Sequence, residues 1–262
     1  MFIKAKTLSD FKLDCQDGEL GKVEDFYYDD QFWTIRYMVA DTGGWLTGRE
    51  VLLSPYAVKS IDIDGKLVYV DLTKQQIKDS PELEAGDPLS RQFEEDYYGY
   101  YAWPFYWGGP FLWGPYPFLQ TDHDQWSAPT SEVKDWDSHL RRITELRGDV
   151  FQATDGEIGH VDDLIIDDTT WEIRYFVIST HNWLPGKKVL ISPKWIDRVS
   201  WEEGKVFVNL TQEAIKESPE YTTESLLRRE YEESLYNHYK LPPYWEKAER
   251  DEKLAEVAAS TV

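Results

Sequence analysis

Two arginines, Arg36 and Arg174, sit mid-strand at matching places in the chain, and each follows an acidic pair, Asp29-Asp30 or Asp167-Asp168. A guanidinium there can clamp a ligand carboxylate or phosphate. It can equally pair with a neighbouring Asp or Glu on the polar face of its strand, or lay its stem along aromatic rings, and we expect this second use. The acidic pairs, with Asp25 and Asp163, could hold a hard cation such as Ca²⁺ or Mg²⁺. No spaced ligand series with a distal glutamate follows them, and Asp-Asp after a strand is ordinary turn chemistry. The single cysteine, Cys15, has Ala153 as its counterpart, which points to packing and not to a reactive thiol. Asp122-His123-Asp124, His139, His160, His181 and His238 show no zinc-ligand spacing and read as surface residues. No GxSxG, Cys/His set, GxGxxG or Walker loop occurs, and Gly108-Gly109-Pro110 lacks the strand and helix of a phosphate loop. The expectation is a protein that is not an enzyme and has no cofactor and no metal.

The strongest unused chemistry is aromatic. From Tyr97 to Phe118, twelve of 22 residues are Phe, Tyr or Trp, interleaved with Gly and Pro. Each ring buries on the order of 150–250 Å², but only against something else. We expect this arm to clasp the domains, running along both of them, with Trp103, Tyr106, Trp107 and Trp113 in contact with domain residues. Rings left exposed would mark a partner or dimer surface. Pro242-Pro243-Tyr244-Trp245 echoes the arm, so Tyr244 and Trp245 join those four as candidate partner-binding residues.

An internal duplication sets the elements that hold these residues. Residues 17–107 align without a gap to 155–245, at an offset of 138, with 39 identities in 91 positions. "DGELGKVEDFYYDDQFWTIRYMV" meets "DGEIGHVDDLIIDDTTWEIRYFV", and "GREVLLSP" meets "GKKVLISP". Trp33, Ile35, Tyr37 and Val39 alternate with Thr34 and Arg36, as do their copies Trp171, Ile173, Tyr175 and Val177; that period of two predicts a strand with one apolar, buried face. Asp17-Gly18, Asp155-Gly156 and Asp64-Gly65 mark tight turns, and Ser-Pro ends the short runs Val51–Leu53 and Val189–Ile191. Five or so short strands per copy predict a small antiparallel barrel or sandwich. Thr73 with Gln76 is a capping-box pattern that starts a short helix stopped by Pro81, and Thr211 starts its counterpart before Ser218-Pro219. Leu226, Leu227, Tyr231, Leu235 and Tyr239 predict a longer helix, with a weaker equivalent over Leu89 to Tyr98 because Gly86 and Pro88 precede it.

Twenty-eight basic against 49 acidic residues give a net charge of −21, which repels phosphate backbones and anionic lipid surfaces. No nucleic-acid partner is expected. The opening MFIKAKTLSDF lacks the apolar stretch of a signal peptide, and no apolar run is long enough to insert into a membrane. With one cysteine and no disulfide framework, a cytoplasmic location is expected.

The motif DGE(L/I)G(K/H)V(E/D)D, followed by WxIRY and G(R/K)xV(L)(L/I)SP, resembles the PRC-barrel family, and it does so in both copies. That family includes the cytoplasmic part of the photosynthetic reaction-centre H subunit and the C-terminal domain of a ribosome-maturation factor. The resemblance implies docking, although fold alone does not set function. Unlike those members, this chain is expected to carry neither the membrane helix of an H subunit nor a separate RNA-directed N-terminal domain. The expected architecture is mainly β: PRC-like barrels over 1–83 and 139–221, related by a pseudo-twofold. An aromatic Gly/Pro-rich arm and linker over 84–138 joins them, and a C-terminal helix and tail over 222–262 follows. The expected function is binding or scaffolding of a protein partner, with a homodimer open as an assembly. Alternatives are an H-subunit-like accessory protein docking on a membrane complex, and a small-molecule or metal sensor using the groove between barrels.

Overall fold

The computed structural model describes residues 1–46, 49–84, 89–109, 111–122, 124, 126, 139–180, 187–222 and 228–246. The first repeat contributes β1 (Phe2–Lys4), α1 (Ala5–Leu8), β2 (Lys12–Cys15), β3 (Gly18–Asp29), β4 (Thr34–Asp41), β5 (Arg49–Leu53), β6 (Val58–Asp62), β7 (Leu67–Val70), α2 (Lys74–Lys78), β8 (Leu83–Glu84) and α3 (Arg91–Tyr101). The second contributes β9 (Leu140–Arg142), α4 (Ile143–Leu146), β10 (Val150–Ala153), β11 (Gly156–Asp167), β12 (Ile173–Ser179), β13 (Lys188–Ile191), β14 (Ile196–Ser200), β15 (Lys205–Val208), α5 (Gln212–Lys216) and α6 (Arg229–Tyr239). No described helix is long and apolar enough to cross a membrane.

The sheets follow the repeat. One runs β6-β7-β2-β3-β4-β5-β8 with β9 added to β3; the other runs β13-β12-β11-β10-β15-β14 with β1 added to β11. Two expectations change here. The pairing is not purely antiparallel, because β2 runs parallel to β7 and β10 parallel to β15. Nor does either hydrogen-bonded path close into a barrel among the described residues. The seam falls where β5 would meet β6: Pro55 cannot donate to a ladder, and the chain makes a 3-10 turn over Pro55–Ala57 instead.

The repeated motif residues have structural tasks. A Cβ on Gly21 would sit 2.0 Å from the carbonyl oxygen of Asp41, and one on Gly159 would sit 2.0 Å from that of Ser179. Only glycine allows the neighbouring strand so close. Asp17 Oδ1 accepts from the backbone of Lys74 at 2.8 Å, and Asp155 Oδ1 accepts from Gln212 at 2.8 Å, so each Asp-Gly turn ties down the helix after its sheet. Thr73 and Gln76 form the capping box, with the side chain of each bonded to the other's backbone.

The expected strand faces need correcting. Trp33 is only half-buried and precedes β4, while Trp171 is buried and precedes β12. Both have left-handed backbones, φ 51° and 60°. Such a conformation costs a side chain about 1–2 kcal/mol. Along β4 there is no polar face, since every residue from Thr34 to Ala40, Arg36 included, is buried. The predicted weaker helix over Leu89–Tyr98 is α3, as long as α6 and better started: the Ser90 side chain accepts from Phe93 N, whereas Arg228 caps α6 without a side-chain bond. Leu226 and Leu227, like Gly86 and Pro88, lie outside the described residues.

By internal contacts the chain divides into two compact units. The first gathers Met1–Asp149 with Val161–Phe176 and Ser192–Lys194; the second gathers Val150–His160, Val177–Ile191 and Trp195 onward. Inside the first unit the strand that opens each repeat pairs with the long strand of the other. Phe2, Ile3 and Lys4 face Asp167, Ile166 and Ile165, and Leu140, Arg141 and Arg142 face Asp29, Tyr28 and Tyr27. Between the same two hairpins Ile35 N donates to Trp171 O at 2.8 Å, and Ile173 N donates to Trp33 O at 2.6 Å. These reciprocal bonds hold the two tryptophans in their strained backbone.

Candidate functional site

The aromatic arm and the buried charges beneath it form the chemically richest region of the first unit. The arm does not run extended, as its reach would allow. Gly109 and Gly114 (φ +66°) let it fold tightly back on itself, since a Cβ on Gly109 would lie 2.1 Å from the carbonyl of Gly114. Phe111 N donates to Gly114 O and Trp113 N to Tyr116 O within that fold. Trp103, Tyr106, Trp107 and Trp113 are all buried, Trp113 completely. Trp113 Nε1 donates to Thr170 O at 3.0 Å, and its ring meets Tyr56 edge-on at 5.4 Å. Tyr56 also stacks on Trp103 at 6.0 Å.

Arg36 is the pin through this arm. Its side chain is 0% exposed. Nη2 donates to Asp29 Oδ2 at 3.0 Å and Nη1 to the Leu112 carbonyl at 2.8 Å. The guanidinium lies 4.1 Å from the centre of the Tyr106 ring and 4.9 Å from that of Trp113. Both expected uses, carboxylate pairing and aromatic stacking, are present, but in the interior and not on a polar face. Arg174 shows the first use, bonded to Asp167 at 2.9 Å and Glu172 at 2.6 Å.

Sequence reasoning missed Glu94. It is buried on α3, and Oε1 accepts from Tyr37 Oη at 2.9 Å and from Tyr106 Oη at 2.6 Å. Burial pushes its carboxyl up to about 7, against the opposing pull of the Tyr106 and Tyr37 hydroxyls and of Arg91 and Arg36. Arg91 covers Trp107 at 4.0 Å, and the copy keeps that contact as Arg229 over Trp245, also at 4.0 Å. A signal for this cluster did exist: Arg91, Glu94 and Trp107 are identical to Arg229, Glu232 and Trp245 across the duplication, and Glu232 is buried as well.

The other candidates resolve as structural contacts. Asp29 Oδ1 accepts from Gln31 N and Phe32 N, and Asp167 Oδ1 from Thr169 N, which is turn chemistry. Asp30 meets His139 at 3.0 Å and Arg141 at 3.3 Å. Asp25 accepts from Thr144 at 2.6 Å, and Asp163 accepts from Lys6 N at 3.1 Å. His160 is exposed, and His238 contacts Ala214 O at 2.6 Å. His123 and His181 lie outside the described residues. Among the described residues no three His, Cys, Asp or Glu side chains are grouped to hold a metal ion.

Cys15 is buried, and its thiol is pushed up to about 12 by that burial, with Asp17 and Asp14 adding to it. Iodoacetamide at pH 8 is expected to label the folded protein at least ~100-fold more slowly than the urea-unfolded chain, because the thiolate is the nucleophile. Equal labelling rates would show an accessible, ionised thiol.

Of the residues singled out for partner binding, Trp103, Tyr106, Trp107 and Trp113 are thus occupied internally. Tyr244 and Trp245 are half-buried against Tyr236. What the arm and its helix leave in solvent is Tyr100 at 43%, Phe111 at 46% and Phe118 at 53% exposure.

Comparison with known proteins agrees with the duplication. A model of the PRC-barrel domain family matches residues 13–77 and 139–215, together more than half of the chain. An uncharacterized protein of Deinococcus radiodurans is 37% identical over 75 residues, 28% of this chain and 26% of that relative, so the likeness spans about a quarter of its length.

Proposed function

Since this chain belongs to the PRC-barrel domain family, we propose that it is a non-catalytic docking protein that holds a protein partner through its two modules and the outer edge of the aromatic arm. The observation that carries this reading is the division of the arm. Trp103, Trp107 and Trp113 are used inside the fold, yet Phe111 and Phe118 remain about half exposed, as does Tyr100 of α3. Large rings in water are costly to keep, and rings rimmed by polar surface fit the anchor residues of an interface. The acidic balance of −21 favours a partner surface that is basic around an apolar centre, and disfavours nucleic acid. The reciprocal pairing of β1 with β11 and of β9 with β3 supports an approximate twofold between two barrel-like modules, so that one chain imitates a homodimer. The single, buried cysteine supports work in a reducing cytoplasm.

The test is quantitative co-purification from native cells, comparing the natural chain with a Phe111→Ser/Phe118→Ser variant, alongside melting temperature and light-scattering mass. We expect recovery of a defined partner to fall at least ~10-fold with melting unchanged, because truncating anchor residues costs about 2 kcal/mol or more. Equal recovery with both proteins overturns the docking role of these rings. A doubled mass that the variant loses would identify the partner as a second copy.

A further inference from the structure

We propose that Glu94 is a proton-operated latch on the aromatic arm: with its carboxyl neutral, the arm closes over it, and with its carboxyl ionised, the arm lifts to let water in. The geometry is that of a lid over a charge. Glu94 is completely buried, and one of the two hydroxyls on Oε1 comes from the arm itself, Tyr106 at 2.6 Å. The other, Tyr37 at 2.9 Å, belongs to β4 and stays with the sheet. Oε2 has no hydrogen-bond partner, and the nearest cation, Arg91, stands 4.0 Å away. A carboxylate with one bare oxygen in an apolar site is poorly solvated, and water is the partner that the closed arm excludes.

The groups facing Glu94 have been set against one another. From β4 come Arg36 and Tyr37, from α3 come Arg91 and Tyr98, and from the arm comes Tyr106; Arg36 is already neutralised by Asp29 of β3. The Tyr106 and Tyr37 hydroxyls and the two arginines pull the carboxyl toward ionisation, yet burial outweighs them and leaves it at about 7. The arm leaves α3 through Ala102, a left-handed residue at φ 56° that serves as a pivot between helix and arm.

The sign follows from linkage. The closed form binds the proton more tightly than an open form, in which the carboxyl has its ordinary value of 4.5. Closure is therefore fully favoured below that value, weakens as pH rises toward 7, and gains nothing from the proton above it.

Amide exchange in 103–109 and 111–113, expressed as protection relative to the intrinsic rate, reads the latch directly and requires no partner. Its outcome is therefore separate from that of the docking test. Between pH 5.5 and pH 8 we expect protection of the arm to fall at least ~10-fold in the natural chain, within the limit of tenfold per pH unit for one proton. Glu94→Gln, neutral at every pH, is expected to keep at pH 8 the protection that the natural chain has at pH 5.5, and Glu232→Gln to leave the response intact. Tyr106→Phe, which removes the arm's hydroxyl and spares Glu94, provides a second reading: its arm should be as open at pH 5.5 as the natural arm is at pH 8. A natural arm equally protected at both pH values overturns the latch, as does a Glu94→Gln arm that still opens with pH.

Discussion

Replacing Trp113 with alanine destabilises the folded protein by about 3–5 kcal/mol, the cost of emptying a fully buried indole site. The ring is 0% exposed, lies on the Arg36 guanidinium and meets Tyr56, while its Nε1 is bonded to Thr170 O. Removing it takes away dispersion contacts, one hydrogen bond and one cation–π contact together. Urea unfolding at fixed pH measures the loss, and the slope of the transition shows whether the denatured state has changed as well. A loss under ~1 kcal/mol would mean that the arm adds little to the fold and that its aromatic content serves only a partner. Phe111, a neighbour in sequence with its ring in water, provides the contrast, since surface substitutions stay within about 0.5 kcal/mol.

Arg36→Ala is expected to cost as much, about 3–5 kcal/mol, because it leaves Asp29 in the interior without its cation. Its twin, Arg174→Ala, removes a partner from carboxylates that water still reaches, with Asp167 and Glu172 exposed by 15% and 17%. That loss should be nearer the roughly 1.5–3 kcal/mol of a charged hydrogen bond. The difference between twins isolates what the arm does to a buried charge. Adding Asp29→Asn to Arg36→Ala keeps the turn acceptor for Gln31 and Phe32 while removing the orphaned charge. The double variant should recover at least ~1 kcal/mol of the single loss, since an unpaired charge in the interior costs more than a neutral amide there. Equal losses for the two arginines, or no recovery in the double variant, would show that Arg36 acts by packing alone. Arg36→Ala and Trp113→Ala share a contact and should combine to less than their sum.

The sequence carried the modules far. The ungapped alignment placed β11, β14, β15, α5 and α6 each 138 residues after its counterpart, and the structure extends that spacing to β9, α4 and β10, which lie before the aligned stretch. The capping box of Thr73 and Gln76, the Asp-Gly turns, the packing of Cys15 and the pairing of Arg36 with an acid were all legible. Each rests on residues near in sequence or on a chemistry the duplication displays twice. Strand faces were less legible. Alternation in "WTIRYMV" suggested one wet face, but a period of two shows only that one face is apolar, not whether the other will be covered.

What covers it is decided at long range. The Arg36 side of β4 is closed by Leu112 and Trp113, 76 and 77 positions on, and Trp113 is anchored to Thr170, 57 further on. Glu94 reads as one more acid in an acidic chain until Tyr106, at the far end of a helix-to-arm turn, is brought back over it. The sequence by itself determined a duplicated PRC module, its turns and its helix starts, because these depend on backbone chemistry within a few residues. Which charges lie in the interior, and which of the arm's rings do, was decided only by the tertiary structure. Desolvation is set by everything packed around a group, and that neighbourhood does not exist until the chain has folded.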